Sequence, residues 1–149
     1  MFERILIPID GSDQSRAAAE KGVELAAEHD ASVHILYVVE PVPLGRFSAG
    51  PEPASAGHGE ILEEQKEEAR ESIDAIAELC GEHGLDVVDT IEYGLPVEEI
   101  LEYVEAEGID GIAMGTHGRS GAERVVIGSV AEKVVRKSPV PVVTIRAAA

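Results

Sequence analysis

The sequence predicts a doubly wound α/β domain built on a parallel sheet. Two observations carry this. Five short runs rich in β-branched residues alternate with four amphipathic stretches, and the runs are apolar at consecutive rather than alternate positions. Strands read that way when helices cover both faces of a sheet, and right-handed crossovers then place each helix on a definite face. A chain of 149 residues suits one core and can bury roughly 70% of its unfolded surface. One domain is therefore expected over residues 1–149.

The first run, Arg4 to Ile9, ends in Asp10-Gly11-Ser12-Asp13, which supplies turn and N-cap residues for a helix over Gln14 to Glu28. Val33 to Val39 is the second strand. Glu40 to Gly59, rich in Pro, Gly, Ala and Ser, is expected to be irregular. It leaves the carboxyl end of a strand, on the rim where ligands bind in such sheets, and reads either as a lid or as a passive insertion. His58 within it is read as solvated. Glu60 to Glu82 has helical spacing and carries Cys80 in its apolar register; Gly84 follows it. Asp86 to Glu92 is the third strand, and Gly94-Leu95-Pro96 separates it from a helix over Val97 to Glu107. After Gly108, Ile109 and Gly111 to Met114 give the fourth strand. Ser129 to Lys137 is the last helix and Val140 to Ile145 the last strand, with Ala147 to Ala149 expected to fray.

Composition removes several functions. With 29 acidic against 12 basic residues the net charge is −17, so a broad basic face for nucleic acid or an anionic membrane is not available. Few of the cations are Lys, a balance that fits a cytoplasm of very high salt; the plainer reading is an acidic protein kept soluble by its charge. Cys80 is the only cysteine, which rules out an intramolecular disulfide and fits a reducing cytoplasm. No run of eighteen or more apolar residues occurs, and the opening MFERILIPIDG does not read as a signal peptide. A cytoplasmic protein is expected, with small ligands and protein partners left as its targets.

The chemistry concentrates in Met114-Gly115-Thr116-His117-Gly118-Arg119-Ser120-Gly121, followed by Ala122 to Ile127 and then Gly128-Ser129-Val130. This stretch follows a strand and opens a helix. A polyphosphate needs converging backbone N–H groups, no Cβ in the way and the positive end of a helix dipole, and glycines at a strand-to-helix turn provide all three. No Gly-Lys-Ser/Thr follows, so this is not a Walker A loop, nor is it the dinucleotide fingerprint. Arg119, and less directly Arg124, are candidate phosphate contacts. His117 is read as a solvated or phosphate-neighbouring side chain rather than an acid or base.

The spacing Gly115, Gly118, Gly128, Ser129 is similar to the Gly-x2-Gly-x9-Gly-Ser/Thr pattern of ATP-binding universal stress proteins. The opening Ile5-Leu6-Ile7-Pro8-Ile9-Asp10-Gly11-Ser12 resembles that family's first strand and turn, and Ser138-Pro139-Val140-Pro141-Val142-Val143 resembles its last helix-to-strand junction. The resemblance covers essentially the whole chain outside Glu40 to Gly59. It implies a five-stranded sheet of order 3-2-1-4-5, like that of the adenine nucleotide α-hydrolases, and an ATP site. Pro8 and Asp10 would stand at the end of the first strand, with Asp10 on the adenosine. The Val38 backbone would hold the adenine edge, and Met114 would pack on the adenosine. Gly115, Gly118, Gly128, Ser129 and Val130 would cradle ribose and phosphates. The implied order reverses between the first and fourth strands, which end at Asp10 and Gly115, and ligands bind at such switch points.

The net charge does not forbid this ligand. The Debye length is about 10 Å at 0.1 M salt and about 3 Å at 1 M, so distant carboxylates are screened and local donors decide. A helix N-terminus contributes on the order of 0.3–1 kcal/mol and each charge-assisted hydrogen bond roughly 1.5–3, so several amides with Arg119 suffice for a triphosphate. Mg²⁺ is expected to accompany it through the phosphates, with no dedicated metal ligands.

No catalytic set stands out; at most slow ATP hydrolysis is expected. Three functions remain open: a nucleotide-dependent stress-response switch, an α-hydrolase splitting ATP between the α and β phosphates, and a scaffold indifferent to nucleotide. The hydrolases carry Ser-Gly-Gly-x-Asp-Ser after the first strand, whereas this turn reads Asp10-Gly11-Ser12-Asp13-Gln14-Ser15. Pro141, which cannot donate to a ladder, suits an edge strand, and Val142, Val143 and Ile145 make that edge apolar. Two-fold pairing of Val140 to Arg146 with its copy would cover it, and the resemblance implies the same homodimer.

Overall fold

Strand β1 (Arg4–Ile9) lies at the centre of a five-stranded, all-parallel sheet, in the order β3 (Val87–Tyr93), β2 (Ser32–Val39), β1, β4 (Gly111–Gly115) and β5 (Val142–Ile145). The computed structural model describes residues 2–40, 54–117 and 128–146. Along the chain come α1 (Asp13–His29), β2 (Ser32–Val39), α2 (Ala54–Glu82), β3 (Val87–Tyr93), α3 (Pro96–Ala106), β4 (Gly111–Gly115), α4 (Ser129–Lys137) and β5 (Val142–Ile145). The predicted order and strand count are those observed. Among the described residues no helix is long and apolar enough to cross a membrane.

Consecutive apolar residues occur in the strands because the two sheet faces belong to two cores. Successive side chains of a strand point to opposite faces. On one face Ile5, Ile7 and Ile9 pack with Val33, Ile35 and Tyr37 under α1 and α2. On the other, Leu6, Leu36 and Ile112 pack with Ile100 and Val104 of α3 and with Val134 of α4. Ile5, Leu6 and Ile7 are at most 1% exposed, each contributing roughly 1.5–3 kcal/mol by burial. Cys80 joins the first core, and burial pushes its thiol up to about 11, which makes it a packing residue as expected.

Most boundaries fall within one residue of expectation, and two element starts depart by more. Helix α2 begins at Ala54 rather than Glu60, so Ala54 to Gly59 are helical and not part of an irregular loop. Extending a nucleated helix costs far less than starting one, about 1 kcal/mol for each Gly, so Gly57 and Gly59 do not stop it. The remainder of that loop, residues 41–53, lies outside the described residues, and so does the choice between a lid and a passive insertion. Strand β5 begins at Val142 rather than Val140. The Ser138 hydroxyl donates to the Val140 carbonyl (2.8 Å) and accepts from the Val140 N–H (3.1 Å), so Val140 is occupied locally before the ladder starts.

Candidate functional site

The connections from β1 and β4 lead to opposite sides of the sheet, and a cavity of about 480 Å³ opens between them at the carboxyl ends of the strands. Pro8, Asp10, Val38, Met114, Gly115, Gly128, Ser129 and Val130 all line it. Gly118 and Arg119, and likewise Arg124, lie outside the described residues.

At the β1 end the backbone turns sharply and is pinned. Asp10 accepts from the Ser12 N–H at 2.9 Å, closing an Asx turn, while its own N–H donates to the Ser15 hydroxyl at 3.0 Å. Ser12 in turn caps α1 by accepting from the Ser15 N–H at 3.1 Å. The Tyr37 hydroxyl, from β2, donates to the Asp10 carbonyl at 3.1 Å. Asp10 is thus held at the rim by two neighbouring elements.

At the β4 end the Gly128 N–H donates to the Thr116 carbonyl, and the Thr116 N–H donates to the Ile145 carbonyl at 3.0 Å. A Cβ on Gly128 would lie 2.9 Å from the Thr116 oxygen, so this close approach requires glycine. The missing side chain of Gly115 makes room for α1 instead: a Cβ there would sit 3.1 Å from that of Ala18. Gly128 is the N-cap of α4 and has no side-chain cap; the helical ladder opens with the Glu132 N–H on the Gly128 carbonyl. The N–H groups of Ser129, Val130 and Ala131 therefore have no intrahelical partner, and all three residues line the cavity. Arg136 and Lys137 in the last turn of α4 reinforce a dipole whose positive end faces the cavity.

Part of the remaining wall is apolar, formed by Ile9, Pro96, Ile100, Met114 and Val130. Polar amides at one end and an apolar slot at the other suit a flat heteroaromatic group carrying an anionic tail. Sequence reasoning missed Ser15, Tyr37, Gln65 and Thr116, which also line the cavity. His117 lines it too, with Nδ1 3.1 Å from the Thr116 Oγ1. Among the described residues no group of three His, Cys, Asp or Glu side chains could hold a metal ion.

The model of the universal stress protein family matches residues 1–146. The chain belongs to that family. This universal stress protein is 36% identical over 146 residues to one from Methanocaldococcus jannaschii, covering 98% of this chain and 83% of the relative. It is 32% identical over 148 residues to one from Bacillus subtilis, covering 98% of this chain and 100% of that protein. The solved structure of the universal stress protein UspA from Lactobacillus plantarum is similar to it with a TM-score of 0.84 and 29% identity, over 97% of each chain.

Proposed function

We propose that this universal stress protein is an ATP-binding member of its family and acts as a nucleotide-dependent switch in a stress response. The observation that carries the reading is the N-terminus of α4, whose first-turn amides have no partner among the described residues and open into the same 480 Å³ cavity as Asp10 and the apolar slot. The adenine lies in the slot with its edge on the Val38 backbone and Met114 against the adenosine, and Asp10 contacts the adenosine beside Pro8. The phosphates reach Gly115, Gly128, Ser129 and Val130, with Gly118 and Arg119 supplying further contacts. Mg²⁺ enters on the phosphates rather than on protein ligands of its own. Related proteins have been solved in complex with cAMP, dAMP and AMP; at 18–22% identity these likenesses speak for the fold alone.

ATP binding orders the glycine segment and changes the surface shown to a protein partner, with turnover slow and incidental to binding. The protein works in the cytoplasm as a homodimer paired through Val140 to Arg146. Mass analysis of ligand released from gently purified, denatured protein is expected to yield adenine nucleotide, and calorimetry to give micromolar or tighter ATP affinity. Protein that neither carries nucleotide nor gives heat with ATP overturns the reading.

A further inference from the structure

The stripe by which α2 lies on the sheet consists of Ala69, Ile73, Ile76 and Cys80, each at most 1% exposed. One turn nearer the helix N-terminus the same stripe reaches Gln65. The far end of the stripe meets the amino end of β2, where the Asp86 carbonyl accepts the Val33 N–H at 2.9 Å. The Gln65 end therefore overhangs the carboxyl end of β2, and Gln65 lines the cavity together with Val38, Val39 and Glu40. Its Oε1 is shielded from solvent and has no hydrogen-bond partner among the described residues. A shielded, unpaired acceptor is destabilising, and leucine at this point would continue the apolar stripe without that cost.

We propose that Gln65 is the residue that selects adenine, its Oε1 accepting a hydrogen from the exocyclic 6-amino group of the bound base. The assignment rests on the nucleotide reading of the cavity. One placement and two features of the bases favour it. Gln65 belongs to a helix packed on β2 and β3, so it stands at the Val38 end of the cavity and not at the Gly128 end where the phosphate amides are. The 6-amino group has two hydrogens, so the backbone at Val38 can take one and leave the other for a side-chain acceptor. Guanine presents a carbonyl at the same place, so it can pair with Gln65 only if the amide turns to offer Nε2–H, and it has no amino hydrogen to give the Val38 backbone.

The test compares wild-type protein with Gln65→Leu by calorimetry against ATP, purine riboside triphosphate, which lacks the amino group, and 2′-deoxy-ATP. The leucine variant is expected to bind ATP roughly 3- to 12-fold more weakly, the range for one neutral hydrogen bond. It should lose about as much with 2′-deoxy-ATP and nearly nothing with the amine-free nucleotide. Without ligand it should melt at a higher temperature than wild type, because the unpaired acceptor is gone; a purely structural glutamine would give the opposite shift. Gln65→Met, closer in shape, should repeat the pattern. Unchanged ATP affinity, a loss that persists with the amine-free nucleotide, or one that vanishes with 2′-deoxy-ATP overturns the assignment. Wild-type protein that binds none of the three removes the nucleotide reading itself, whereas wild type that binds ATP no better than the variant removes only Gln65.

Discussion

Gly128 donates its N–H to the carbonyl of Thr116, tying the exit of β4 to the start of α4 across the ten residues that separate them outside the described structure. The bond holds the first-turn amides of α4 over the cavity. It leaves no room for a side chain, since a Cβ on Gly128 would come within 2.9 Å of the Thr116 oxygen. Gly128→Ala is therefore expected to push the two elements apart, costing about 1–3 kcal/mol of stability. ATP affinity should fall about tenfold or more as the amides move. Denaturant unfolding and calorimetry on the same protein check both; intact ATP affinity in a destabilised variant would separate the packing role from binding.

Asp10 and Ser12 share one turn but are expected to divide its duties. Ser12→Ala removes the hydroxyl that caps α1 through the Ser15 N–H, a loss of about 1 kcal/mol in stability, with ATP affinity unchanged. Asp10→Ala removes the acceptor for the Ser12 N–H and also the carboxylate at the cavity. It should lose a comparable amount of stability and, in addition, about tenfold in ATP affinity. Equal affinities in the two variants would confine Asp10 to its turn.

The parts of this molecule legible in its sequence are those whose cause is local. Two-faced burial writes itself as consecutive apolar residues from Ile5 to Ile9, and Gly94-Leu95-Pro96 marks the β3–α3 boundary in its own three residues. The glycine spacing singles out Gly115 and Gly128, which both line the cavity, while Gly118 lies outside the described residues. What escaped depends on partners distant in sequence. Tyr37 looks like one more strand aromatic until its hydroxyl meets the Asp10 carbonyl, 27 residues away. Gln65 looks like a solvated helix residue, although its spacing from Ala69 and Ile73 places it in the core stripe. The start of α2 at Ala54 was hidden because Gly57 and Gly59 suggest a loop when helix propagation is left out.

His34 is another residue of this hidden kind. It interrupts the apolar run of β2, is 7% exposed, and places Nδ1 2.7 Å from the Tyr103 hydroxyl of α3. Burial holds its pKa below the usual 6.5, with Glu107 acting in the opposite direction and Arg4 adding to the depression. The unfolded chain thus takes up a proton at higher pH than the folded one. The stability His34 confers is fully present above about pH 6.5, the ordinary value, and is lost as pH falls through the folded value. Unfolding free energies of wild type and His34→Gln, measured from neutral pH downward, should show the wild type losing more stability in acid. Parallel pH profiles contradict this. Tyr103→Phe leaves Nδ1 buried without its partner and should cost about 1–3 kcal/mol at neutral pH.

The edge strand β5 supplies a test of the proposed dimer that leaves the monomer's own sheet intact. The Ile112 N–H donates to the Pro141 carbonyl and the Thr116 N–H to the Ile145 carbonyl, each at 3.0 Å. Odd-numbered residues of β5 therefore direct their backbone groups toward β4, and by alternation Val142 and Thr144 direct theirs outward to the open edge. A two-fold, antiparallel pairing of this edge with its copy would use the Thr144 N–H, while the bonds to β4 use Val143 and Ile145. Thr144→Pro removes the central one of the outward donors and none that faces β4, and is tolerated on an edge strand. Val143→Pro removes a donor facing β4 and should destabilise the fold itself. Light scattering at micromolar concentration is expected to give a dimeric mass for wild type and a folded monomer for Thr144→Pro. Wild type of monomeric mass, or a Thr144→Pro variant that stays dimeric, rules out pairing through β5, and the half-buried Val142, Val143 and Ile145 would then be covered only by the chain's own helices.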